Sequence, residues 1–265
     1  FVFISGRFSV VRDRSKYLKG IWRLAKLFLL FHGFQFLIFW LTGLESNILH
    51  IFSTTFAMWY LLSLVWWRIM LYYIPEKWMM EHRGHLLSAS VFIALVVGLV
   101  PLSKQLAFQA TWSYLPFFLL GYFSKDVDMK AMLHRIPYWV AMTVIVGSFV
   151  VVYLWFNKLL HDLYSSSTYW ASGVSHLKAR ILTRPVLMVV ATILGCCVMR
   201  VSPTVKWLAK FGQATLYIYL GHIFVRLLVI KLINEGYIPD RLYSIILYAI
   251  IVTFALTWFS LWRNH

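Results

Sequence analysis

Phe1-Val-Phe-Ile-Ser-Gly-Arg-Phe-Ser-Val-Val-Arg-Asp-Arg-Ser-Lys-Tyr-Leu-Lys-Gly-Ile-Trp-Arg-Leu-Ala-Lys26 runs directly into Leu27-Phe-Leu-Leu-Phe-His-Gly-Phe-Gln-Phe-Leu-Ile-Phe-Trp-Leu-Thr-Gly-Leu44. The first part reads as the end of an apolar helix, a Ser5-Gly6 turn, and then seven bases, Arg7, Arg12, Arg14, Lys16, Lys19, Arg23 and Lys26, against the single acid Asp13. The second part carries no charge at all. A strongly basic segment pressed between a helix end and a long apolar run is a juxtamembrane loop, and short cytoplasmic loops are the ones that hold Lys and Arg. Residues 7–26 are therefore expected on the cytoplasmic side, which orients everything after them.

Composition sets the class. Hydrophobic residues make up 61% of the 265 and charged residues 13%, and the mean hydropathy is +0.75, so a soluble domain would expose far too much apolar surface. The apolar runs are long and do not alternate, which predicts membrane-spanning helices and not barrel strands. The formal charge of +16 would suggest nucleic acid in a soluble protein; here, bases gathered in loops against anionic headgroups account for it, and no nucleic acid is expected. All nine acids fall in predicted loops or helix ends, which argues against a proton-relay pump built on buried carboxylates. Cys196 and Cys197 are adjacent in an apolar run and read as packing residues.

A hydrocarbon core about 30 Å thick needs roughly 20 apolar residues per helix. On that measure, spans are predicted at 27–44, 50–74, 86–102, 108–123, 137–157, 182–200, 211–233 and 242–262, with residues 1–5 the end of an earlier one. The expected fold is all-α: a polytopic transmembrane helical bundle of one domain over 1–265, with eight complete spans and about ten in the full-length protein. Under this topology seventeen Lys and Arg share the side of the 7–26 loop, seven take the other, and Arg226 lies within a span. The bias predicts a multi-pass protein of the cell membrane with a cytoplasmic C-terminus.

Polar groups inside spans are costly and mark candidate sites. His222 and Arg226 are spaced i, i+4 on one helical face, beside Gly221, where a second helix or a substrate can approach. His222 is a candidate general base or hydrogen-bond partner for a substrate, with a neutral histidine bridging two helices as the other reading. Arg68 closes the run Trp59-Tyr-Leu-Leu-Ser-Leu-Val-Trp-Trp-Arg68 and either clamps an anionic cofactor or snorkels to the headgroups. The basic loop is either a plain positive-inside loop or a surface for a polyphosphate such as coenzyme A. His82 and His85 have no further ligand nearby in sequence, so no metal is expected. The polar, aromatic stretch Tyr164-Ser-Ser-Ser-Thr-Tyr-Trp170 is an interfacial loop or the cover of a sugar-binding mouth.

Several stretches together resemble the membrane-bound acyltransferase-3 family, its fucose 4-O-acetylase-like branch in particular. Phe1-Val-Phe-Ile-Ser-Gly-Arg-Phe-Ser9 is similar to the family's Phe-x-Ile-Ser-Gly-Tyr-Phe helix ending, Trp59-Tyr-Leu61 to its Trp-Phe/Tyr-Leu motif, Leu115-Pro-Phe-Phe-Leu-Leu-Gly-Tyr-Phe123 to its Phe-Phe-x-x-Gly-Tyr, and Phe211-Gly-x-x-Thr-Leu-Tyr-Ile-Tyr-Leu-Gly-His222 to its late Gly-x-x-Ser-Leu-x-Ile-Tyr-x-x-His. The resemblance implies an O-acyltransferase that moves an acyl group, usually acetyl, from cytoplasmic acyl-CoA to a hydroxyl of a carbohydrate or lipid-linked saccharide, as in polysaccharide modification. It implies a donor site around Arg7, Arg12, Arg14 and Arg23, with Arg68 at the inner face, and acceptor contacts from Trp59, Tyr60, Tyr219 and Arg226. His222 takes a supporting role, because the family's transfer histidine is expected upstream of Phe1. Two departures stand out: Arg7 replaces the usual Tyr, and Leu64 and Val65 occupy the region where other members carry a carboxylate. The alternatives are a lipid-linked saccharide transporter and a non-catalytic relative.

Overall fold

Residues 1–41, 58–99, 106–155 and 177–202 are described in the computed structural model of the chain, and among them every regular element is helical. The order is α1 (Val2–Arg7), α2 (Arg14–Leu41), α3 (Met58–Tyr73), α4 (Glu76–Glu81), α5 (Arg83–Val96) with a 3₁₀ turn at Val97–Leu99, α6 (Phe108–Phe123), α7 (Met129–His134), α8 (Tyr138–Trp155) and α9 (Leu177–Val201). The predicted spans at 211–233 and 242–262 lie outside the described residues, as do His222, Tyr219 and Arg226. The chain divides into two compact units, Phe1–Phe28 with Phe52–Thr54 and Trp59–Ser202, and Leu29–Ile51 with Thr55–Met58 and Pro203–His265. The contacts that follow belong to the first.

The basic segment is not the continuous loop its charge predicts. Only Phe8–Asp13 links α1 to α2, and α2 begins thirteen residues before the expected span. Asp13 explains the early start. Its Oδ1 accepts from the backbone N–H of Ser15 at 2.9 Å and of Lys16 at 3.2 Å, which satisfies orphan donors of the first turn and puts a negative charge at the positive end of the helix dipole. The one acid of the segment thus serves as a helix cap, and Arg14, Lys16, Lys19, Arg23 and Lys26 all lie exposed on a helix.

The closest packing is α1 on α6, and glycine permits it. A Cβ on Gly6 would land inside the carbonyl oxygen of Phe118 and 3.1 Å from Tyr122 N. A Cβ on Gly121 would land inside the carbonyl oxygen of Phe3 and 3.1 Å from Arg7 N. The two backbones therefore touch reciprocally, which only residues without a side chain allow. Around this crossing Leu64, Trp67, Leu71, Met79, Leu115, Phe118, Leu119, Tyr122 and Phe123 form a buried cluster, with the rings of Trp67 and Phe118 stacked at 4.9 Å. Polar groups between α3 and α6 are paired: Ser63 Oγ and Thr111 Oγ1 lie 2.8 Å apart, and Trp67 Nε1 donates to Thr111 O at 3.1 Å.

Arginines join further helices by capping carbonyls near their C-terminal ends, where no intrahelical donor remains. Arg7 donates to Ser124 O and, at 2.9 Å, to Val127 O just past α6. Arg200 Nε donates to Ile136 O past α7 at 2.9 Å, and Arg184 to Ala94 O in the last turn of α5 at 3.0 Å.

Among the described residues one stretch, Arg184–Val201 within α9, is long and apolar enough to cross a membrane, with mean hydropathy 1.8 and only 6% of it buried. Arg83–Leu99 and Tyr138–Val151 are shorter apolar helices. Large apolar side chains face outward on each: Val91, Phe92 and Val96 on α5, Val146, Phe149 and Val150 on α8, and Val186, Val189 and Ile193 on α9.

Gly121→Ala or Gly6→Ala forces the α1–α6 crossing apart and is expected to cost about 1–3 kcal/mol. Gly147→Ala, in α8 with nothing within 4 Å of the added carbon, is expected to be neutral or slightly stabilising. Thermal unfolding of the three variants in detergent checks this; equal effects at all three positions would contradict the crossing.

Candidate functional site, a basic cleft at the α1–α2 link

The α1–α2 link, the start of α4 and the turn after α6 enclose a cleft of about 650 Å³ lined by Arg7, Phe8, Val10, Arg12, Glu76, Lys125 and Asp126. Each wall has a local cause. Arg7 ends α1 and is fixed by the Ser124 and Val127 carbonyls. Glu76 occupies the first turn of α4, which starts after Pro75, where an acid suits the helix dipole. Lys125 and Asp126 belong to the turn that follows α6, whose chain is closed by bonds from Ser124 N to Leu120 O and Lys125 N to Tyr122 O.

Three bases and two acids line the cleft, yet they are not equally available. Lys125 Nζ is bonded to Glu76 Oε1, and its side chain is only 8% exposed against 47% for the acid. Burial lowers the Lys125 pKa, but the hydrogen bond to Glu76, then Tyr122 and the charges of Glu76 and Asp126, outweigh it and leave the group more basic than a free lysine. Arg7 has given two donors to carbonyls. Arg12 is exposed and makes no hydrogen bond or ion pair among the described residues. The cleft thus has a rigid paired rim, Glu76–Lys125 and Arg7, and one adaptable cation, Arg12.

The other expected site residues separate. Arg14 lies over the ring of Tyr72 at 5.8 Å, and Arg23 is exposed on α2, away from the cleft lining. Arg68 approaches the Tyr17 ring at 5.9 Å, between α3 and α2. Trp59 stacks on Tyr114 at 4.9 Å and meets Tyr60 edge to face. The Tyr60 hydroxyl is bonded to Ser5 Oγ, which ties α3 to α1. Leu64 and Val65, where other members carry a carboxylate, are buried. His82 stacks on Trp78 at 4.7 Å with Nδ1 3.0 Å from Trp78 O, and no group of three potential metal ligands occurs among the described residues.

Glu76, Lys125 and Tyr17 have no distinctive sequence signal. Their partners lie 49 to 51 positions away, and only the folded helix ends bring them together.

Because the folded Lys125 pKa lies above the ordinary 10.5, the pair's contribution is present in full below that pH and declines as pH rises through the folded value. Glu76→Gln is expected to lower thermal stability at neutral pH and to flatten the loss of stability above about pH 10.5, measured as melting temperature against pH. An unchanged high-pH profile would show that the pair contributes nothing. Comparison of the chain with protein-family models, with curated proteins and with solved structures returns no match.

Proposed function

We propose that the protein is an integral-membrane O-acyltransferase that takes an acyl group, most simply acetyl, from acyl-CoA at the cytoplasmic face and transfers it to a carbohydrate hydroxyl. One observation carries this reading. Three separate stretches that resemble the acyltransferase-3 pattern meet at one place: Ser5 bonds Tyr60, Gly6 lies against Phe118 and Tyr122, and Gly121 lies against Phe3 and Arg7. Residues 55 to 118 positions apart thus form one structural knot beside a basic cleft, as expected if the motif residues belong to a single site.

The multi-pass membrane reading has its own support. Arg7 with Ser124 and Val127, Glu76 with Lys125, and Arg200 with Ile136 join helix ends on what the charge bias makes the inner side. Arg184 with Ala94, and Gln109 Nε2 with Val97 O at 3.3 Å, join ends on the other. This is the alternation that spans at 86–102, 108–123 and 182–200 require, and the outward apolar faces suit lipid.

In the reaction the acceptor oxygen attacks the thioester carbonyl carbon, the C–S bond breaks, and CoA leaves as the thiolate. A histidine takes the hydroxyl proton and passes it to that sulfur. Arg12 and the rim of the cleft hold donor phosphates by charge-assisted hydrogen bonds. His222, Tyr219, Arg226, Trp59 and Tyr60 are assigned to the acceptor side on sequence grounds.

Purified full-length protein with radiolabelled acetyl-CoA is expected to acetylate a saccharide and release CoA. Arg12→Ala should raise KM for acetyl-CoA about tenfold and change kcat little. Saccharide flux into vesicles without CoA release would replace the enzyme by a carrier.

Topology has a separate check in a Cys196→Ser, Cys197→Ser background. Asp128→Cys should react with an impermeant maleimide from the cytoplasmic side and Leu106→Cys from the opposite side. Labelling of both from one side would remove the span at 108–123.

A further inference from the structure

Outside the cleft, α2 and α3 face each other through a ladder of alternating bases and tyrosines. Arg14 of α2 covers Tyr72 of α3, and one turn further along both helices the order reverses, with Arg68 of α3 over Tyr17 of α2. Arg68 Nη1 also approaches Gly20, the next position on that face of α2: a Cβ there would lie 3.8 Å away, in ordinary contact. Arg68 is therefore pressed against the α2 face through Tyr17 and Gly20, just inside the basic end of the unit.

The inner rung has an unusual polar balance. Arg68 Nε and the Tyr17 hydroxyl are both buried, and neither has a hydrogen-bond partner among the described residues. Arg68 forms no ion pair among them either. Among the described residues, Glu76 is committed to Lys125 and Asp13 to the first turn of α2. A buried guanidinium N–H and a buried hydroxyl on two side chains in cation–π contact, with no carboxylate bonded to either among the described residues, are donors awaiting an acceptor, and unmade hydrogen bonds of this kind are costly enough to be rare. The cation–π contact offsets part of the charge but gives the N–H no acceptor.

The group that satisfies both is an oxyanion. A guanidinium presents its donors in a planar fork that matches phosphate oxygens, and the tyrosine hydroxyl adds a third direction. Burial pushes the Tyr17 hydroxyl above its ordinary range, with the Arg68 charge opposing, so it keeps its proton and donates throughout the physiological range.

We infer that Arg68 and Tyr17 form a seat for one phosphate group between α2 and α3, with Arg14 at its mouth. On the acyltransferase reading, on which this deepening rests, the phosphate is one of the two in the CoA diphosphate, while Arg12 meets the rest of the nucleotide. An anionic lipid headgroup offers the same chemistry, and the test separates the two.

The full-length protein is placed in phosphatidylcholine nanodiscs, and binding of coenzyme A and of inorganic pyrophosphate is measured by calorimetry for the wild type, Arg68→Met, Arg68→Lys and Tyr17→Phe. A parallel set of discs contains phosphatidylglycerol. The expected result is that both soluble probes bind at least about tenfold more weakly to Arg68→Met and several-fold more weakly to Tyr17→Phe, with Arg68→Lys between and melting unchanged. Should Arg68→Met fail to fold, Tyr17→Phe decides, because it deletes one oxygen and keeps the ring. Equal CoA binding by wild type and variants overturns the seat and leaves the acyl-donor reading standing. Arg68-dependent binding of pyrophosphate or phosphatidylglycerol by a protein that ignores CoA keeps the seat and removes that reading. Binding of no probe, or binding indifferent to Arg68 and Tyr17, overturns the seat.

Discussion

The reciprocal contact of two backbones at Gly6 and Gly121 is the constraint on which the first unit depends. It brings the end of α1 against the end of α6, and with it the Arg7 guanidinium within reach of the Ser124 and Val127 carbonyls. The turn after α6 is held in place by that capping, so Lys125 meets Glu76 and closes the cleft. Neither glycine is present for turn flexibility; both sit in helices and are required for closeness.

Arginine has a second structural use in this protein. Three of them reach across to another helix's terminal carbonyls, and the guanidinium suits the task because its donors are fixed in a fork and its charge complements the negative end of a helix dipole. Lysine would offer charge without the fork. The Trp67 indole shares the habit, giving its one donor to the Thr111 carbonyl beside the Ser63–Thr111 pair, so the aromatic core of α3 and α6 is also anchored by polar contacts.

The sequence was most legible where an apolar run ended in unmistakable polar punctuation. The apolar run at 108–123 is helical over the same residues in α6, where Ser124-Lys-Asp ends it abruptly, and the run at 137–157 is close to the helix Tyr138–Trp155. It was least legible where a helix extends beyond its apolar run. Hydropathy reads apolar runs, so α2 was expected near residue 27, whereas the Asp13 cap carries helical geometry back to Arg14 through a stretch whose charges are all basic. α9 likewise starts early, at Leu177 against an expected 182. Of the candidate site, Arg7 and Arg12 were recognisable as bases at a turn, but charge alone cannot distinguish an arginine tied to carbonyls from one that is available. The pairing of Arg68 with Tyr17 is a tertiary fact, set by which faces of α2 and α3 meet.

The Asp13 cap also divides the protein's positive charge into two populations. Arg7, Arg200 and Lys125 are locked against carbonyls or an acid at short range, where mobile ions hardly intervene. The five bases of α2, from Arg14 to Lys26, stand exposed along about three turns of a rigid helix, where a Debye length of about 8 Å at physiological ionic strength applies in full. Raising the salt concentration therefore quiets the surface that attracts anions from a distance and leaves untouched the contacts that hold the helices together, so attraction and architecture respond separately to the ionic medium.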